Sequence, residues 1–257
     1  MTTPQVGVLH VHSSYSHDGR DSLTALRKFA LSRRINFIGL TDHAEDLSAD
    51  RWPDFVDECH VVSDDRVRLI PGLEFRFAGF SGLHLLAIGL DRWISPETPA
   101  AFVRECLPSP AFTIMAHPIL ADYQVPAAVR AGIHAIEVWN AAYNTRYLPD
   151  PRAIRLLHDI RAERPNVVGT AGLDQHDSRN DRQTRVLVSR DEHDVVEALR
   201  AGRFGNTGRT MQFGSAVPIR GARLAALGAA RWTLDRVERT QDAIARRLHR
   251  ADHGERA

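Results

Sequence analysis

Cysteine is scarce in this 257-residue chain: Cys59 and Cys106 are the only two, and no CxxC spacing exists. That excludes a disulfide framework and points to a reducing compartment. Lysine is scarcer still, with Lys28 the single one among 33 basic side chains, and 32 acidic residues leave a formal charge of only +1. Without an excess of one sign there is no polyelectrolyte footprint, and no basic, aromatic groove is evident, so long nucleic acid is not an expected partner. The arginine bias reads as a genomic preference, although a planar guanidinium also suits phosphate. No run approaches the roughly 18 apolar residues of a membrane span. The N-terminus MTTPQVGVLHVH lacks a basic stretch followed by an apolar one, so no signal peptide is read there. A cytoplasmic protein without a membrane partner is expected.

What the chain does have is alternation. Short apolar runs at 6–11, 35–41, 67–74, 83–89, 112–116, 133–138 and 167–173 read as strands. Helical patterns cover 23–32, 53–59, 97–106, 125–131 and 151–163. Asp21-Ser22 suits an N-cap, and Pro53 and Pro151 suit first-turn positions. Repeated strand–helix units argue for an α/β fold with a parallel sheet and helices outside. A strand at 184–189, a helix at 191–201 and a short strand at 204–207 follow. From Gly221 to about Arg250 a proline-free, Arg/Ala/Leu-rich stretch reads as one long helix packed on its own protein or on a partner. The organisation expected is a region 1–210 and a C-terminal segment 211–257.

Histidines, aspartates and glutamates recur at the strand ends. His10 and His12 close the first strand, and side chains at i and i+2 of a strand share a side. Asp18 and His17 follow in a glycine-containing loop; Thr41-Asp42-His43 ends the second strand, Leu73-Glu74 the third and His117-Pro118 the fifth. Asp174-Gln175-His176 ends the seventh as a second i, i+2 pair. In a parallel barrel all strand C-termini lie at one face, where active sites are built. His84 breaks the pattern, since it starts its strand and calls for an antiparallel or irregular segment. A lone histidine after a strand is usually a hydrogen-bonded loop residue, so the argument rests on the convergence of the series. His60, His134, His158, His193, His249 and His253 fall off the strand ends and read as structural or surface residues.

The ordered series HVHSSYSHDG from His10, TDH to His43, PGLE to Glu74, HLLAIG from His84, AHP around His117 and GLDQH to His176 resembles the polymerase-and-histidinol-phosphatase (PHP) family. The motifs run from about residue 8 to 177. The resemblance implies a distorted (β/α)7 TIM-like barrel with two or three divalent metal ions at the C-terminal face of its strands. It assigns as ligands His10, His12, Asp18, His43, Glu74, His84, His117, Asp174 and His176, with Glu74 bridging and His17 able to replace Asp18. Asp18, His43, Glu74, Asp174 and His176 are the candidate catalytic group. Val8 stands where many members have aspartate, at a position not usually a ligand.

Imidazoles with carboxylates suit Zn²⁺, Mn²⁺ or Fe²⁺, and so many ligands exceed what one ion can use. The expected reaction is attack of a metal-bridging hydroxide on a small phosphomonoester, histidinol-phosphate-like or nucleotide. Arg20, Arg146 and Arg179 lie in loops near the motifs and are candidates for substrate charge. Asp42 either orients a ligand or is a surface carboxylate, and Trp139 or Tyr143 either stacks on a substrate ring or simply packs. The competing readings are an exonuclease acting on oligonucleotide ends, an amide or ester hydrolase, and a non-catalytic scaffold whose C-terminal helix binds a partner.

Overall fold

The computed structural model describes residues 3–143, 147–234, 236 and 237. The first strand, β1 (Gln5–Val11), leads to helix α1 (Leu23–Arg33), whose first turn is capped by Ser22 accepting from the Ala25 N–H. Arg34 ends that helix in the left-handed region at φ 55°. Next come β2 (Phe37–Leu40), β3 (Asp42–His43), α2 (Trp52–Val62), β4 (Arg68–Ile70) and β5 (Gly72–Arg76). The run 67–74 is thus two strands, because Pro71 has no N–H to give to a ladder. Then follow β6 (His84–Ile88), α3 (Pro99–Cys106), β7 (Phe112–Met115), α4 (Ala127–Gly132), β8 (Ala135–Asn140), α5 (Pro151–Glu163) and β9 (Val168–Gly172). Thr98 and Asp150 cap α3 and α5, each followed by proline at a first-turn position that needs no donor.

These strands form two six-stranded mixed sheets, so the expectation of a purely parallel sheet is corrected. One runs β12-β11-β10-β1-β2-β4, its last members being β10 (Arg185–Val188), β11 (Phe204–Thr207) and β12 (Gln212–Gly214), with α6 (Val195–Arg200) between the first two of these. The other runs β3-β5-β6-β7-β8-β9. Within them β1/β2/β4, β3/β5 and β7/β8/β9 are parallel, whereas β6 is antiparallel to both neighbours. That reversal is the antiparallel segment His84 calls for: the start of β6 lies beside the end of β5, with Arg76 paired to His84. β2 runs into β3 through Thr41, and β4 into β5 through Pro71. Backbone bonds also tie the end of β1, an inner strand of its sheet, to the segment that follows β9, from Leu173 N to Leu9 O (3.0 Å) and from His12 N to Gln175 O (2.9 Å).

The core gathers Leu9, Phe37, Leu86, Ile88, Phe112, Ile114 and Val186, all at or below 1 % exposure, so the sheets present almost no apolar face to water. Among the described residues no helix is long and apolar enough to cross a membrane. The chain divides into compact units after Pro218, and β12, paired with β11, lies in the first of them. In the second unit residues 221–234 are helical, with Trp232 and Val237 half exposed; the remainder of the expected long helix lies outside the described residues.

His134, just ahead of β8, accepts through Nδ1 from the Thr113 hydroxyl (2.8 Å) and N–H (3.2 Å), which requires a neutral ring. Burial, with Arg200 and Arg164 nearby, depresses it from 6.5 to about 4. The unfolded chain therefore takes up this proton before the folded one does. Its contribution to stability is complete above pH 6.5 and is lost as pH falls towards 4. In urea unfolding across that window, His134→Asn, which keeps an acceptor, should flatten part of the acid loss. An unchanged profile would assign the loss to other groups.

Candidate metal centre

The strand ends that carry the centre are not regular. The β1–β2 register shifts between Leu9 and Val11, and the residue in between, His10, has φ 63°. His117 (φ 23°) and Asp174 (φ 49°) also have positive φ. Such backbones cost on the order of 1–3 kcal/mol each outside glycine and persist only where surrounding contacts impose them. Simple strand alternation therefore does not explain the His10–His12 pair. The bulge and its positive φ do, setting the two rings 5.4 Å apart.

Glu74 is the hub. Its Oε1 lies 2.8 Å from His84 Nδ1, 3.4 Å from His117 Nε2 and 3.5 Å from His10 Nε2. Its Oε2 lies 3.1 Å from His43 Nδ1 and 3.5 Å from His12 Nε2. Asp174 Oδ1 stands 3.5 Å from the Nε2 atoms of both His10 and His12. At the outer edge, Asp18 stands 3.3 Å from the Nε2 atoms of both His43 and His176. Three interlocking groups result: His12, Asp18, His43 and His176; His10, His12 and Asp174; His10, Glu74 and His117. Every expected ligand but His84 falls in one of them, and His84 contacts Glu74 directly.

Burial would raise the Glu74 carboxyl, but the surrounding imidazoles of His10, His117, His43 and His84 hold it well below the usual range. Asp174 is likewise held low against burial by His10 and His12. Burial would lower the His10 imidazole, yet Asp174 and Glu137 keep it well above 6.5. The centre is a buried anionic nest demanding positive charge, and a buried charge is tolerated only when compensated. His10 Nε2, His12 Nε2 and His117 Nδ1 are buried with no hydrogen-bond partner. Ligand atoms on one tetrahedral ion with bonds of about 2.0–2.1 Å stand roughly 3.3–3.5 Å apart, which the 3.3–3.5 Å contacts match better than they match hydrogen bonds. The donor set fits divalent ions.

A second layer orients the rings. His10 Nδ1 donates to buried Glu137 (3.1 Å), leaving Nε2 for the centre, and Glu137 also accepts from His117 N–H (2.7 Å) and Asn140 Nδ2 (2.8 Å). A Cβ on Gly172 would fall 1.6 Å from Glu137 Oε1, so only glycine leaves room for this carboxylate. Asp42 is fully buried, not a surface loop carboxylate. It accepts from Ser13 N–H (2.8 Å), Ser13 Oγ (2.9 Å) and Ser16 Oγ (2.8 Å), and Ser16 Oγ accepts from His12 Nδ1 (3.3 Å). Carboxylate-backed imidazoles of this kind fix ring orientation and strengthen the ligand.

Asp18, not His17, faces the other ligands; His17 points out and binds Asp46 through Nδ1 (2.7 Å). A cavity of about 420 Å³ opens beside Asp18, Asp174 and His176, and Arg20, Gln175, Asn180 and Arg182 line it. Gln175 is buried with neither amide atom partnered. Arg20 is mostly exposed, 3.7 Å from Asp177, while Arg179 is engaged by that same carboxylate (2.6 Å) and does not line the cavity. Arg146 lies outside the described residues. Trp139 is fully buried against Phe213, hence a packing residue, whereas half-exposed Tyr143 has its ring 4.8 Å from that of His117. The sequence reading missed Glu137's role, Arg182 and Arg76, whose Nη2 lies 3.0 Å from His43 Nε2. Arg76 was signalled only by its i+2 spacing from Glu74, and Glu137 by being a carboxylate within an apolar strand.

A family model described as PHP domain matches residues 9–206. No curated protein matches the chain. Among solved structures, PsfC from Pseudomonas syringae PB-5123 is similar at TM-score 0.59 and 16 % identity, over 91 % of this chain and 100 % of that one. An inferred metal-dependent phosphoesterase from Bifidobacterium adolescentis ATCC 15703 is similar at TM-score 0.50 and 15 % identity, over 67 % of this chain and 88 % of its own. At these identities the likeness concerns the fold.

Glu137→Gln should weaken metal binding about 10- to 100-fold while leaving the circular-dichroism spectrum intact. Gly172→Ala should do the same by displacing that carboxylate. Wild-type metal content in both variants, measured after dialysis against limiting Zn²⁺ or Mn²⁺, would remove Glu137 from the centre.

Proposed function

Because this chain belongs to the PHP domain family, we propose that it is a phosphoesterase that cleaves a small phosphomonoester, histidinol-phosphate-like or nucleotide, on a distorted (β/α)7 TIM-like barrel. The backbone bonds from the end of β1 to Leu173–Gln175, with β2 running into β3 and β4 into β5, support that reading. The observation that carries the activity is the three-group donor cluster opening through Asp18, Asp174 and His176 into a cavity of about 420 Å³. That volume suits a small ligand, within the roughly 300–1,000 Å³ of small-molecule sites. The buried, unpartnered Gln175 amide and the two arginines on the wall favour a polar, anionic one.

His10, His12, Asp18, His43, Glu74, His84, His117, Asp174 and His176 would hold two or three ions. Bound Zn²⁺, Mn²⁺ or Fe²⁺ supplies Lewis acidity to a phosphoryl oxygen and acidifies water. The protein's own part is positional. His10, Glu74 and His117 are at or below 1 % exposure, which keeps bulk water from the inner cluster. The part-exposed Asp18 and His176 form the edge that incoming substrate meets. Arg20 and Arg182 offer guanidinium donors to its anionic groups, and Arg182 is braced by the Ala141 carbonyl at 2.5 Å. The buried, unpaired Cys59 and Cys106 favour a cytoplasmic setting.

Protein loaded with Mn²⁺ or Zn²⁺ should release inorganic phosphate from a panel of phosphomonoesters in preference to phosphodiesters and amides. Asp174→Asn and the double variant His10→Ala/His12→Ala should lose at least about 100-fold in kcat with the fold retained. Amide cleavage in place of phosphate release would make it another metal-dependent hydrolase. No turnover by fully metallated protein would favour the scaffold.

A further inference from the structure

Arg76 lies two residues beyond Glu74 on β5, and its antiparallel partner on β6 is His84. It therefore shares Glu74's side of the strand but sits at the rim, where its side chain is 44 % exposed. Its Nη2 stands 3.0 Å from Nε2 and 3.2 Å from Nδ1 of His43. A neutral imidazole offers one acceptor nitrogen and a protonated one offers none, so a guanidinium cannot be held there by hydrogen bonds to both. What holds it is charge: Glu74 Oε2 lies 3.1 Å from one ring nitrogen and Asp18 Oδ1 3.3 Å from the other. The guanidinium occupies the cation-seeking edge of the outer ligand group.

Its hold elsewhere is slight. Nη1 meets Glu45 at 3.5 Å, and both side chains are nearly half exposed, the kind of surface pair that contributes little. An ion bound by His43 would repel the guanidinium, whose long side chain is 44 % exposed and can turn towards solvent. A dianionic phosphoryl group entering there offers the paired oxygens that a guanidinium fork matches.

Resting on the phosphoesterase reading above, we infer that Arg76 is a phosphoryl-binding residue of this centre: it leaves His43 as the ions load and grips the non-bridging oxygens of the substrate phosphate. It differs in task from Arg20 and Arg182, which line the wall of the neighbouring cavity and meet the rest of the substrate.

The experiment titrates inorganic phosphate into metal-loaded wild type, Arg76→Gln and Arg76→Lys by calorimetry, with metal content measured on the same samples. Arg76→Gln should weaken phosphate binding at least 10-fold and lower kcat for the best phosphomonoester about 100-fold. Arg76→Lys should recover only part of either, since an ammonium lacks the fork. Metal content should stay at the wild-type level in both. Phosphate affinity within twofold of wild type in Arg76→Gln, or metal lost in parallel with phosphate, would overturn the inference and leave the phosphoesterase reading standing. Metal-loaded wild type that binds no phosphate would overturn both.

Discussion

Glu74 is a carboxylate at 1 % exposure, and the molecule around it is arranged to let it stay ionised there. An unpaired buried charge would cost several kcal/mol, so cationic or proton-bearing groups must converge on it. Five imidazoles do so, from His10, His12, His43, His84 and His117. Bringing them to one point is what the positive-φ backbones at His10 and His117 and the bulge in β1 accomplish. The same convergence gives divalent ions a ready set of donors, so folding and metal binding draw on one electrostatic demand.

That demand propagates outward. Glu137 would itself be raised by burial but is held below the usual range, chiefly by His10. Its position in turn relies on the absence of a side chain at Gly172. On the opposite side Asp42, Ser13 and Ser16 form a closed hydrogen-bond set behind His12 and His43. The His10 and His12 rings are thus fixed from behind through Nδ1, and the Nε2 of each is left for the centre. The strain at the strand ends is offset by these bonds, of which the Glu137 contact to the His117 N–H is the clearest case.

The mixed topology has a functional consequence. A wholly parallel sheet would place the start of β6, and His84 with it, at the far end of the molecule from Glu74. Running β6 backwards sets His84 across from Arg76 and within 2.8 Å of Glu74. One reversed strand therefore brings the candidate ligand His84 to Glu74.

The sequence by itself determined the α/β class, most strand and helix positions, and the identity and order of the candidate ligands. Residue type at a strand end is a local property, and the donors of a metal site are few in kind. The split at Pro71 was also written in the sequence, although the apolar run masked it. Only the tertiary structure decided between Asp18 and His17, buried Asp42 and Trp139, left Tyr143 at the rim, and tied Arg179 to Asp177. It alone brought Glu137 and Arg76 to the centre, and it set aside simple alternation as the reason His10 and His12 meet. These outcomes depend on which loop or strand lies opposite a residue, on a bulge, and on space left by a glycine distant in sequence. Distance between side chains far apart in the chain is a property of packing, which no local pattern encodes.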